Sequence, residues 1–440
     1  MRDARLGRRH EDLDLSTDAT PDQTLALVRP IASSVWTQGA RFGTVGAEIA
    51  GVRMEITTFR TERYATASRH PDVEFASDVV TDLSRRDFTV NAMAVKLPEG
   101  DFLDPFGGLF DLDARLLRTP IEPAASFRDD PLRMLRAFRF AAQLEFSIDE
   151  GALAAIRTLR EELATVSTER IRDELSKLIV GRAPASALKL ADSVSLIELF
   201  LPELDSLKLE QDPVHKHKDV WHHTLAVLER APAELTVRLA ALLHDIGKPR
   251  TRRIGSEGVT FHHHEVVGAK MAARRLHALR YPKSVVDDVA ELIRLHHRFH
   301  TYRLGWTDSA VRRYVRDAGS LLGTLNALVR ADCTTRNPAK AARLATRMDE
   351  LEARIAELAS QEELAALRPE LDGEQVMAFL GIAPGPLVGE AKQFLLELRL
   401  EEGPLGEDEA FRRLAAWGRA RGIEPTGERR PPTPKRSSGG

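Results

Sequence analysis

The sequence predicts an α+β fold, in which a small mixed α/β region at the N-terminus is followed by an all-helical remainder. Strand-like segments are confined to the first part of the chain, at positions 42–45, 52–59 and 91–96. From about residue 130 to about residue 420, apolar residues recur at helical spacing. A chain of 440 residues also exceeds one ordinary core and predicts roughly three compact units.

The composition excludes several classes of protein. Apolar residues make up 43% and charged residues 29%, as in folded soluble proteins rather than disordered ones. The sequence lacks both a membrane-spanning apolar run and an apolar signal segment, so we expect a cytoplasmic protein without a membrane partner. The only cysteine, Cys333, excludes a disulfide framework and a cysteine-rich zinc site. With a net charge of -3, the chain must use local basic patches for any contact with nucleic acid.

Two aspartates, Asp12 and Asp14, flank Leu13 near the N-terminus. On a strand, residues two apart point to the same face, so the two carboxylates would repel each other unless a cation lay between them. This arrangement predicts a magnesium site of the kind used in nucleotidyl transfer. Glu55, on a neighbouring predicted strand, is a candidate third carboxylate. The alternatives are a solvated turn for the aspartate pair and an ordinary outward-facing residue for Glu55.

An ordered series of short motifs comes after the aspartate pair. The motifs are RRDFTVNA at 85–92, DPFGG at 104–108, LRTP at 117–120 and RDDPLRMLRAFRF at 128–140. Together they resemble the bacterial CCA-adding tRNA nucleotidyltransferases and the related poly(A) polymerases of the class II nucleotidyltransferase superfamily. The resemblance covers about residues 1–200, and its specificity lies in the order of the motifs rather than in any one of them.

The resemblance implies the reaction and the residues that carry it. Asp12 and Asp14 would hold magnesium, with Glu55 as the third catalytic carboxylate, while the 3′-hydroxyl of tRNA attacks the α-phosphorus of CTP or ATP. The residues implied in nucleotide binding are Arg2 for phosphate, Arg85 and Asp87 for the ribose, Arg136 in support of the same pocket, and Asp130 with Arg133 for the base. The alternative for Arg2 is a surface position, and the alternative for the ribose pocket is a structural ion pair.

The resemblance assigns base selection to Asp130 and Arg133, three residues apart at the start of a predicted helix. Cytosine and adenine both present an exocyclic amine beside a ring nitrogen, so a carboxylate can accept from the amine while a guanidinium donates to the nitrogen. Uracil and guanine place a carbonyl oxygen where the amine would be, which costs about 1–3 kcal/mol or more. Alternatively, Asp130 caps the helix and Pro131 occupies its first position.

The N-terminal sequence departs from the family pattern. The first motif of the family reads Gly-Gly-x-Val-Arg-Asp, followed by Leu-Gly-Arg and the paired aspartates, whereas this chain matches it from Met1, at the valine position. The missing glycines would let backbone amides approach the triphosphate. We therefore expect that the natural start lies upstream and that a chain truncated at Met1 binds nucleotide poorly.

Histidine is concentrated in the middle of the chain, where twelve of the 14 histidines lie between His215 and His300. A His-Asp pair, His244 and Asp245, follows two leucines in an apolar helix, and burial of both groups favours a bound metal. This region resembles the HD phosphohydrolase superfamily. The ligands that the resemblance implies are His223, His244, Asp245 and Asp332 for one divalent metal, and His264 and His296 for a second. Magnesium, manganese, nickel and iron suit this mixture equally, and the alternative is an inactive scaffold that binds tRNA.

These motifs divide the chain into five expected segments. They are a nucleotidyltransferase head at 1–115, a helical neck at 116–205, an HD domain at 206–350, a helical tail that contacts tRNA at 351–424 and a disordered basic tail at 425–440. The expected function is template-independent addition of CCA to the 3′ end of tRNA from CTP and ATP. The alternatives are a poly(A) polymerase, an enzyme that adds only CC or only A, an HD phosphohydrolase with a non-catalytic RNA-binding head, and a non-catalytic RNA-binding protein.

Overall fold

The computed structural model describes residues 1–8, 12–63, 72–75, 78–208, 220–255, 258–301, 306–333, 338–362, 364 and 367–432. Most strands of the described part precede residue 120, and helices predominate in the rest of the chain, so the predicted α+β fold is confirmed. Short strands at residues 147–148, 253–255 and 258–260, the last two paired antiparallel, interrupt the region that was expected to be wholly helical. None of the helices in the described ranges has the length and apolar character needed to cross a bilayer.

The strands of the head form one sheet and several two-stranded pairs. Their bounds are β1 (Asp12–Thr17), β2 (Ser34–Trp36), β3 (Thr44–Ile49), β4 (Val52–Thr58), β5 (Arg60–Arg63), β6 (Asp72–Phe75), β7 (Ala94–Val95), β8 (Phe102–Leu103) and β9 (Leu116–Leu117). The sheet has the strand order β1-β4-β3-β2, in which β1 and β4 are parallel and the other neighbours are antiparallel. Farther along the chain lie β10 (Ser147–Ile148), β11 (Arg253–Gly255) and β12 (Gly258–Thr260).

The helices are short in the head and longer in the body. Their bounds are α1 (Arg2–Arg5), α2 (Pro21–Val28), α3 (Val79–Ser84), α4 (Gly108–Asp113), α5 (Pro123–Asp129), α6 (Leu132–Leu144), α7 (Glu150–Leu159), α8 (Thr168–Ile179), α9 (Pro184–Ser193), α10 (Val220–Arg230), α11 (Leu235–Leu243), α12 (Lys248–Thr251), α13 (His264–Ala278), α14 (Lys283–Leu295), α15 (Arg298–Thr301), α16 (Asp308–Ala318), α17 (Leu322–Asp332), α18 (Pro338–Gln361), α19 (Gly373–Leu380), α20 (Pro386–Glu402) and α21 (Glu407–Arg419).

Two of the three predicted strands differ from the observed ones. Residues 40–42 form a turn of 3-10 helix, and Gly43 ends it at a φ of 87°, so the strand expected at 42–45 begins at Thr44 instead. The strand expected at 91–96 shrinks to β7, because residues 89–91 form another 3-10 turn. The strand at 52–59 is confirmed as β4.

The two faces of the sheet have different surroundings. Val45 and Ala47 of β3 pack with Val28 of α2 in a small core on one face. Thr20 caps helix α2, and Pro21 occupies its first turn. The opposite face carries the alternate positions of the strands and has no comparable apolar core in the described residues. The polar face is therefore the one available to a ligand.

The main core runs without interruption from the head through the neck into the HD region. It begins at Phe88 and extends to Leu364, so the later part of the head shares its packing with the helices of the neck. A separate core joins α19, α20 and α21 in the tail. Helix α18 runs from Pro338 to Gln361 and thus passes through the boundary expected at residue 350.

The last described residues pack against the tail helices. The Thr426 hydroxyl donates to the carbonyl of Ala378, and the guanidinium of Arg429 lies 4.9 Å from the centre of the Phe411 ring. The side-chain amide of Gln375 donates to the carbonyl of Arg430 at 3.1 Å. Residues 425–432 therefore do not meet the expectation of a disordered tail, and residues 433–440 lie outside the described part.

Candidate active site

The predicted carboxylates of the head lie on two neighbouring strands. In the parallel pair of β1 and β4, Asp14 is opposite Glu55 and Asp12 is opposite Arg53. Because side chains alternate along a strand, positions 12, 14, 53 and 55 share the polar face of the sheet. Asp14 and Glu55 are exposed, while the side chain of Asp12 lies outside the described part. Two exposed carboxylates in register on adjacent strands fit the oxygen ligands that a hard divalent cation takes.

The RRD motif borders this face through an arginine. Asp82 of α3 is fully buried and accepts hydrogen bonds from both Arg85, at 2.7 Å, and Arg86, at 3.3 Å. Arg86 also donates to the hydroxyl of Ser16 at 3.2 Å. Ser16 lies two residues after Asp14 and so shares its face of β1. The motif at the end of α3 is thereby held beside the carboxylates.

The base-reading candidates Asp130 and Arg133 each have their own hydrogen-bond partners. Arg133 is buried and donates to the Ser126 hydroxyl at 2.9 Å and to the Arg85 carbonyl at 2.5 Å. Asp130 accepts from the backbone amide of Leu132 at 3.1 Å. Helix α6 starts at Leu132 and Pro131 is its N-cap residue, so Pro131 does not take the first helical position that the sequence suggested. The contact with Leu132 engages Oδ1 of Asp130 and leaves Oδ2 for another partner.

The second oxygen of Asp130 pairs with a residue that sequence reasoning did not include in the site. The guanidinium of Arg170 in α8 lies 2.7 Å from Asp130 Oδ2. These residues are 40 positions apart in sequence, so only the packing of α8 against α6 brings them together. Their spacing in the sequence gave no signal of this contact.

The ribose candidate Asp87 is engaged by groups of the protein itself. Its carboxylate accepts from the Asn91 amide at 2.7 Å and from the Arg136 guanidinium at 2.5 Å. Burial opposes the charged form, but Arg136 and Asn91 hold the pKa of the Asp87 carboxyl below its usual value. Arg2 donates to the Asn91 side-chain oxygen at 2.6 Å and therefore joins the same network. These contacts hold Asp87 between Asn91 and Arg136, and its predicted contact with a ribose stays a prediction.

The network continues into the neck through a buried glutamate. Glu174 of α8 pairs with Arg139 at 2.5 Å and lies 4.0 Å from Arg136. The Arg139 guanidinium also lies 3.6 Å from the centre of the Phe140 ring. Helices α6 and α8 are thus fixed to each other beneath the candidate nucleotide pocket.

The HD candidates come from the ends of several helices. The apolar segment of α11 buries Leu243 and carries His244 and Asp245, each 1% exposed, into the interior. His264 is the first residue of α13, and His296 follows the last residue of α14. His223 lies in α10, and Asp332 is the last residue of α17. Helices remote in sequence therefore place all six predicted side chains in one cluster.

Asp245 stands between two groups of histidines. Its Oδ2 lies 3.2 Å from His244 Nε2 and 3.6 Å from His223 Nε2, and Asp332 Oδ1 lies 2.9 Å from His223 Nε2. The other oxygen of Asp245, Oδ1, lies 3.7 Å from His264 Nε2. In each of two triads, which share Asp245, the nearest candidate donor atoms lie within 4.8 Å of one another. This geometry can hold two metal ions bridged by one carboxylate.

The orientation of the imidazole rings is set by backbone carbonyls. Nδ1 of His264 lies 2.9 Å from the Phe261 carbonyl, and Nδ1 of His296 lies 2.6 Å from the Ile293 carbonyl. These contacts assign the ring proton to Nδ1, so Nε2 of each neutral ring presents a lone pair. The two Nε2 atoms lie 3.3 Å apart. Burial, followed by the nearby His244, lowers the pKa of His296 to about 3, which favours the neutral ring that a metal requires.

Lys248 is the charged neighbour of this cluster that sequence reasoning missed. Its ammonium lies 2.7 Å from Asp245 Oδ2 and 5.8 Å from the centre of the Phe261 ring. Burial opposes the charge on Asp245, but His244 and Lys248 hold the pKa of its carboxyl well below the usual value. The spacing of three residues between Asp245 and Lys248 was the available signal.

The histidines next to these ligand candidates in sequence are mostly exposed. His222, His262, His263 and His297 are exposed, whereas His264 and His296 are buried. The ring of His297 still contacts that of His264, with a centroid distance of 5.3 Å. His215 and His217, and the side chain of His300, lie outside the described part.

Comparisons with known proteins place these sites in families. The family model "Poly A polymerase head domain" matches residues 1–118, "Probable RNA and SrmB- binding site of polymerase A" matches 145–208, and "HD domain" matches 220–362. The CCA-adding enzyme of Bacillus stearothermophilus, solved in complex with CTP, has a TM-score of 0.70 and 25% identity, and the match covers 96% of this chain and 92% of that chain. The tRNA-bound enzyme of Thermotoga maritima shows the same fold, with a TM-score of 0.57 and 20% identity over 94% of this chain and 89% of its own.

Curated relatives extend over most of the chain. An A-adding tRNA nucleotidyltransferase of Deinococcus radiodurans is 36% identical over 78% of this chain and 81% of the relative. A CC-adding tRNA nucleotidyltransferase of Thermus thermophilus is 37% identical over 79% of both. The nucleotidyltransferase head and the HD domain both imply the use of divalent metal ions. The chain is therefore an enzyme that belongs to the tRNA nucleotidyltransferase family.

Proposed function

We propose that this enzyme adds C, C and A in turn to the 3′ end of tRNA, using CTP and ATP and no nucleic-acid template. The observation that carries the proposal is the register of β1 and β4, which puts Asp14 opposite Glu55 on the polar face that the RRD motif borders. Curated relatives and structural neighbours named CCA-adding enzymes support the same reaction. We place the reaction in the cytoplasm, where these substrates meet.

In this proposal Asp12 and Asp14 hold magnesium, and Glu55 is the third catalytic carboxylate. When bound, magnesium would lower the pKa of the tRNA 3′-hydroxyl and neutralise the charge of the departing pyrophosphate. The carboxylates would fix the position of the magnesium, because they extend from paired strands rather than from a loop. Ser16, on the same face, ties this position to Arg86.

The nucleotide would lie between the sheet and the start of α6. Asp130 and Arg133 would read the amine and the ring nitrogen of cytosine or adenine. The hydrogen bond from Arg133 to the Arg85 carbonyl supports this arrangement, since it joins the base-reading helix to the motif beside the carboxylates. Arg2 would contact the phosphates, Arg85 and Asp87 would contact the ribose, and Arg136, which pairs with Asp87, would support the same pocket.

We also propose that the HD domain is a metal-dependent phosphohydrolase. His223, His244, Asp245 and Asp332 would hold one ion, and His264 and His296 would hold a second. The facing lone pairs of His264 and His296 support this assignment, because two acceptors at 3.3 Å repel unless a cation or a proton compensates them.

We also propose the expected division of the chain into a head, a neck, an HD domain and a tail. In this division the HD domain continues to the end of α18.

The test offers tRNA that lacks its 3′ end together with each labelled nucleoside triphosphate. Addition of C, C and A and then a stop supports the proposal. Long adenosine tails identify a poly(A) polymerase, and the absence of any addition with phosphate-ester hydrolysis retained identifies an HD hydrolase with a non-catalytic head.

Partial addition is the second candidate function. Two relatives that cover 78% and 79% of the chain are named an A-adding and a CC-adding enzyme, whereas the CCA-adding enzyme of Bacillus licheniformis covers 53% of this chain at 38% identity. A product that stops after CC, or addition of A only to tRNA that already ends in CC, identifies a partial enzyme.

A further inference from the structure

A tryptophan lies in register with the catalytic carboxylates. Trp36 of β2 is opposite Gly46 of β3, and Gly46 is in turn opposite Glu55 of β4. Glu55 is opposite Asp14 of β1. One line across four strands therefore joins Trp36 to Asp14, and paired residues on adjacent strands point to the same face of a sheet.

The glycine in this line makes room for the indole. A Cβ atom placed on Gly46 would lie 1.8 Å from Nε1 of Trp36 and 2.0 Å from its Cε2. The indole therefore lies directly over Gly46, on the face that also carries Glu55. Any side chain at position 46 would displace it, because such a contact is far shorter than van der Waals distance.

A cavity opens beside the indole and Glu55. It has a volume of about 310 Å³ and is lined by Trp36, Arg53, Met54 and Glu55. This volume is at the lower end of the range for sites that hold small ligands. The Arg53 guanidinium lies 5.9 Å from the centre of the indole ring. An aromatic face, a cation and an adjacent catalytic carboxylate thus border one open space.

We propose that this cavity holds the terminal nucleotide of the growing tRNA 3′ end, with its base stacked on Trp36 and its phosphate near Arg53. An aromatic platform beside a cation is the chemistry that binds single-stranded nucleic acid. Stacking accepts every base, which suits a site whose occupant changes after each addition. Trp36 is thereby a positioning residue for the primer, whereas Asp130 and Arg133 read the incoming base. This inference rests on the proposed function.

The test measures steady-state addition with Trp36→Ala and Trp36→Phe, using tRNA that lacks its 3′ end. Trp36→Ala raises KM for tRNA roughly 5- to 150-fold and leaves KM for CTP unchanged, as expected for the loss of one stacked base. Trp36→Phe recovers most of the loss, because phenylalanine keeps an aromatic face. Leu27→Ala is the control, since Leu27 is an exposed apolar residue of α2, on the other side of the sheet.

A second arm uses a primer whose terminal residue lacks its base. The wild-type enzyme loses affinity for this primer by the same factor, and Trp36→Ala loses nothing further, since both changes remove one contact. An unchanged KM for tRNA in Trp36→Ala, a rise in KM for CTP instead, or two effects that multiply would each overturn the inference. If Trp36→Ala does not fold, Trp36→Phe is tested with the abasic primer instead. Loss of the terminal base must then raise KM for the wild-type enzyme, and must raise it by a smaller factor for Trp36→Phe. Absence of any addition by the wild-type enzyme would refute the proposed function itself.

Discussion

The Nε2 atoms of His264 and His296 face each other at 3.3 Å, and Nδ1 of each ring is engaged by the carbonyl three residues before it. Neither ring then has a proton to place between the two nitrogens, so a divalent cation is the natural partner of both. The buried Asp245 beside them keeps its charge because His244 and the ammonium of Lys248 lie against its carboxylate.

We predict that the purified protein binds divalent metal at this cluster and that His264→Ala lowers its metal content, because the second ion loses a ligand. A metal present at about 100 times its dissociation constant stabilises the folded state by about 2.7 kcal/mol, so chelation should lower the melting temperature of the wild-type protein. Elemental analysis and thermal melts with and without chelator measure both effects. His262→Ala is the matched control because His262 is exposed and two residues away. The assignment would be refuted if the wild-type protein contained no metal and its melting temperature did not change when metal was added.

Asp130 should govern which bases are accepted. Asp130→Asn introduces an amide that can donate to the carbonyl of uracil, so discrimination between CTP and UTP should fall roughly 5- to 150-fold, which corresponds to about 1–3 kcal/mol. Competition of labelled UTP against CTP measures it.

Arg170→Gln should reproduce part of this loss, because the 2.7 Å ion pair holds Asp130 in place. Asp173→Asn, an exposed carboxylate on the same helix α8, serves as the control for both variants. Unaltered selectivity in Asp130→Asn would show that the base is read elsewhere.

Loss of Arg136 should destabilise the protein in a pH-dependent way. Asp87 is buried and its folded-state pKa is lowered, so the pair contributes stability above the ordinary carboxyl value of 3.8, and this contribution disappears as the pH falls through the lower folded-state pKa. Arg136→Met should cost about 2 kcal/mol at neutral pH, less than for a fully buried pair because Arg136 is 34% exposed. Denaturant unfolding at a series of pH values tests this.

The difference between wild type and Arg136→Met should shrink below the ordinary carboxyl pKa of 3.8. Arg157→Met, a change to an exposed arginine of α7, is the control. A difference that is constant with pH would mean that the lost packing of Arg136, rather than its charge, matters.

A buried ion pair should secure the HD region to the tail. Arg312 of α16 is 6% exposed and lies 2.8 Å from Glu362, which is 3% exposed, and its guanidinium also donates to the Leu400 carbonyl in α20. Arg312→Met leaves a buried carboxylate without its main partner and should cost about 3 kcal/mol. Adding Glu362→Gln should recover most of that loss.

The neighbouring Arg313 provides the matched control for this pair. It forms its ion pairs with Glu397 and Glu401 nearer the surface, so Arg313→Met should cost about 1 kcal/mol or less. Equal destabilisation by the two substitutions in denaturant unfolding would contradict the distinction.

Local patterns in the sequence were sufficient where neighbours in the chain decide the structure. The strand predicted at 52–59 is observed as β4, and Asp12 and Asp14, which were expected to share one face of a strand, lie on β1. The short turns at residues 40–42 and 89–91 were missed, because a single 3-10 turn has no periodicity to detect.

Contacts between distant segments were beyond what the sequence could predict. The pairing of Asp130 with Arg170 depends on how α8 packs on α6, and the line from Trp36 to Asp14 depends on the register of four strands. Lys248 combines a local pattern with a contact that depends on the fold. Its spacing of three residues from Asp245 is evident in the sequence, but only the structure shows that its ammonium lies against that carboxylate.

The most direct test of the account measures tRNA extension after the charges at Asp12 and Asp14 are neutralised together. The doubly substituted enzyme, Asp12→Asn with Asp14→Asn, should extend tRNA at least about 100-fold more slowly than wild type, while phosphate-ester hydrolysis by the HD domain remains. An extension rate equal to that of the wild-type enzyme would contradict the assignment of the polar face of the sheet as the catalytic site.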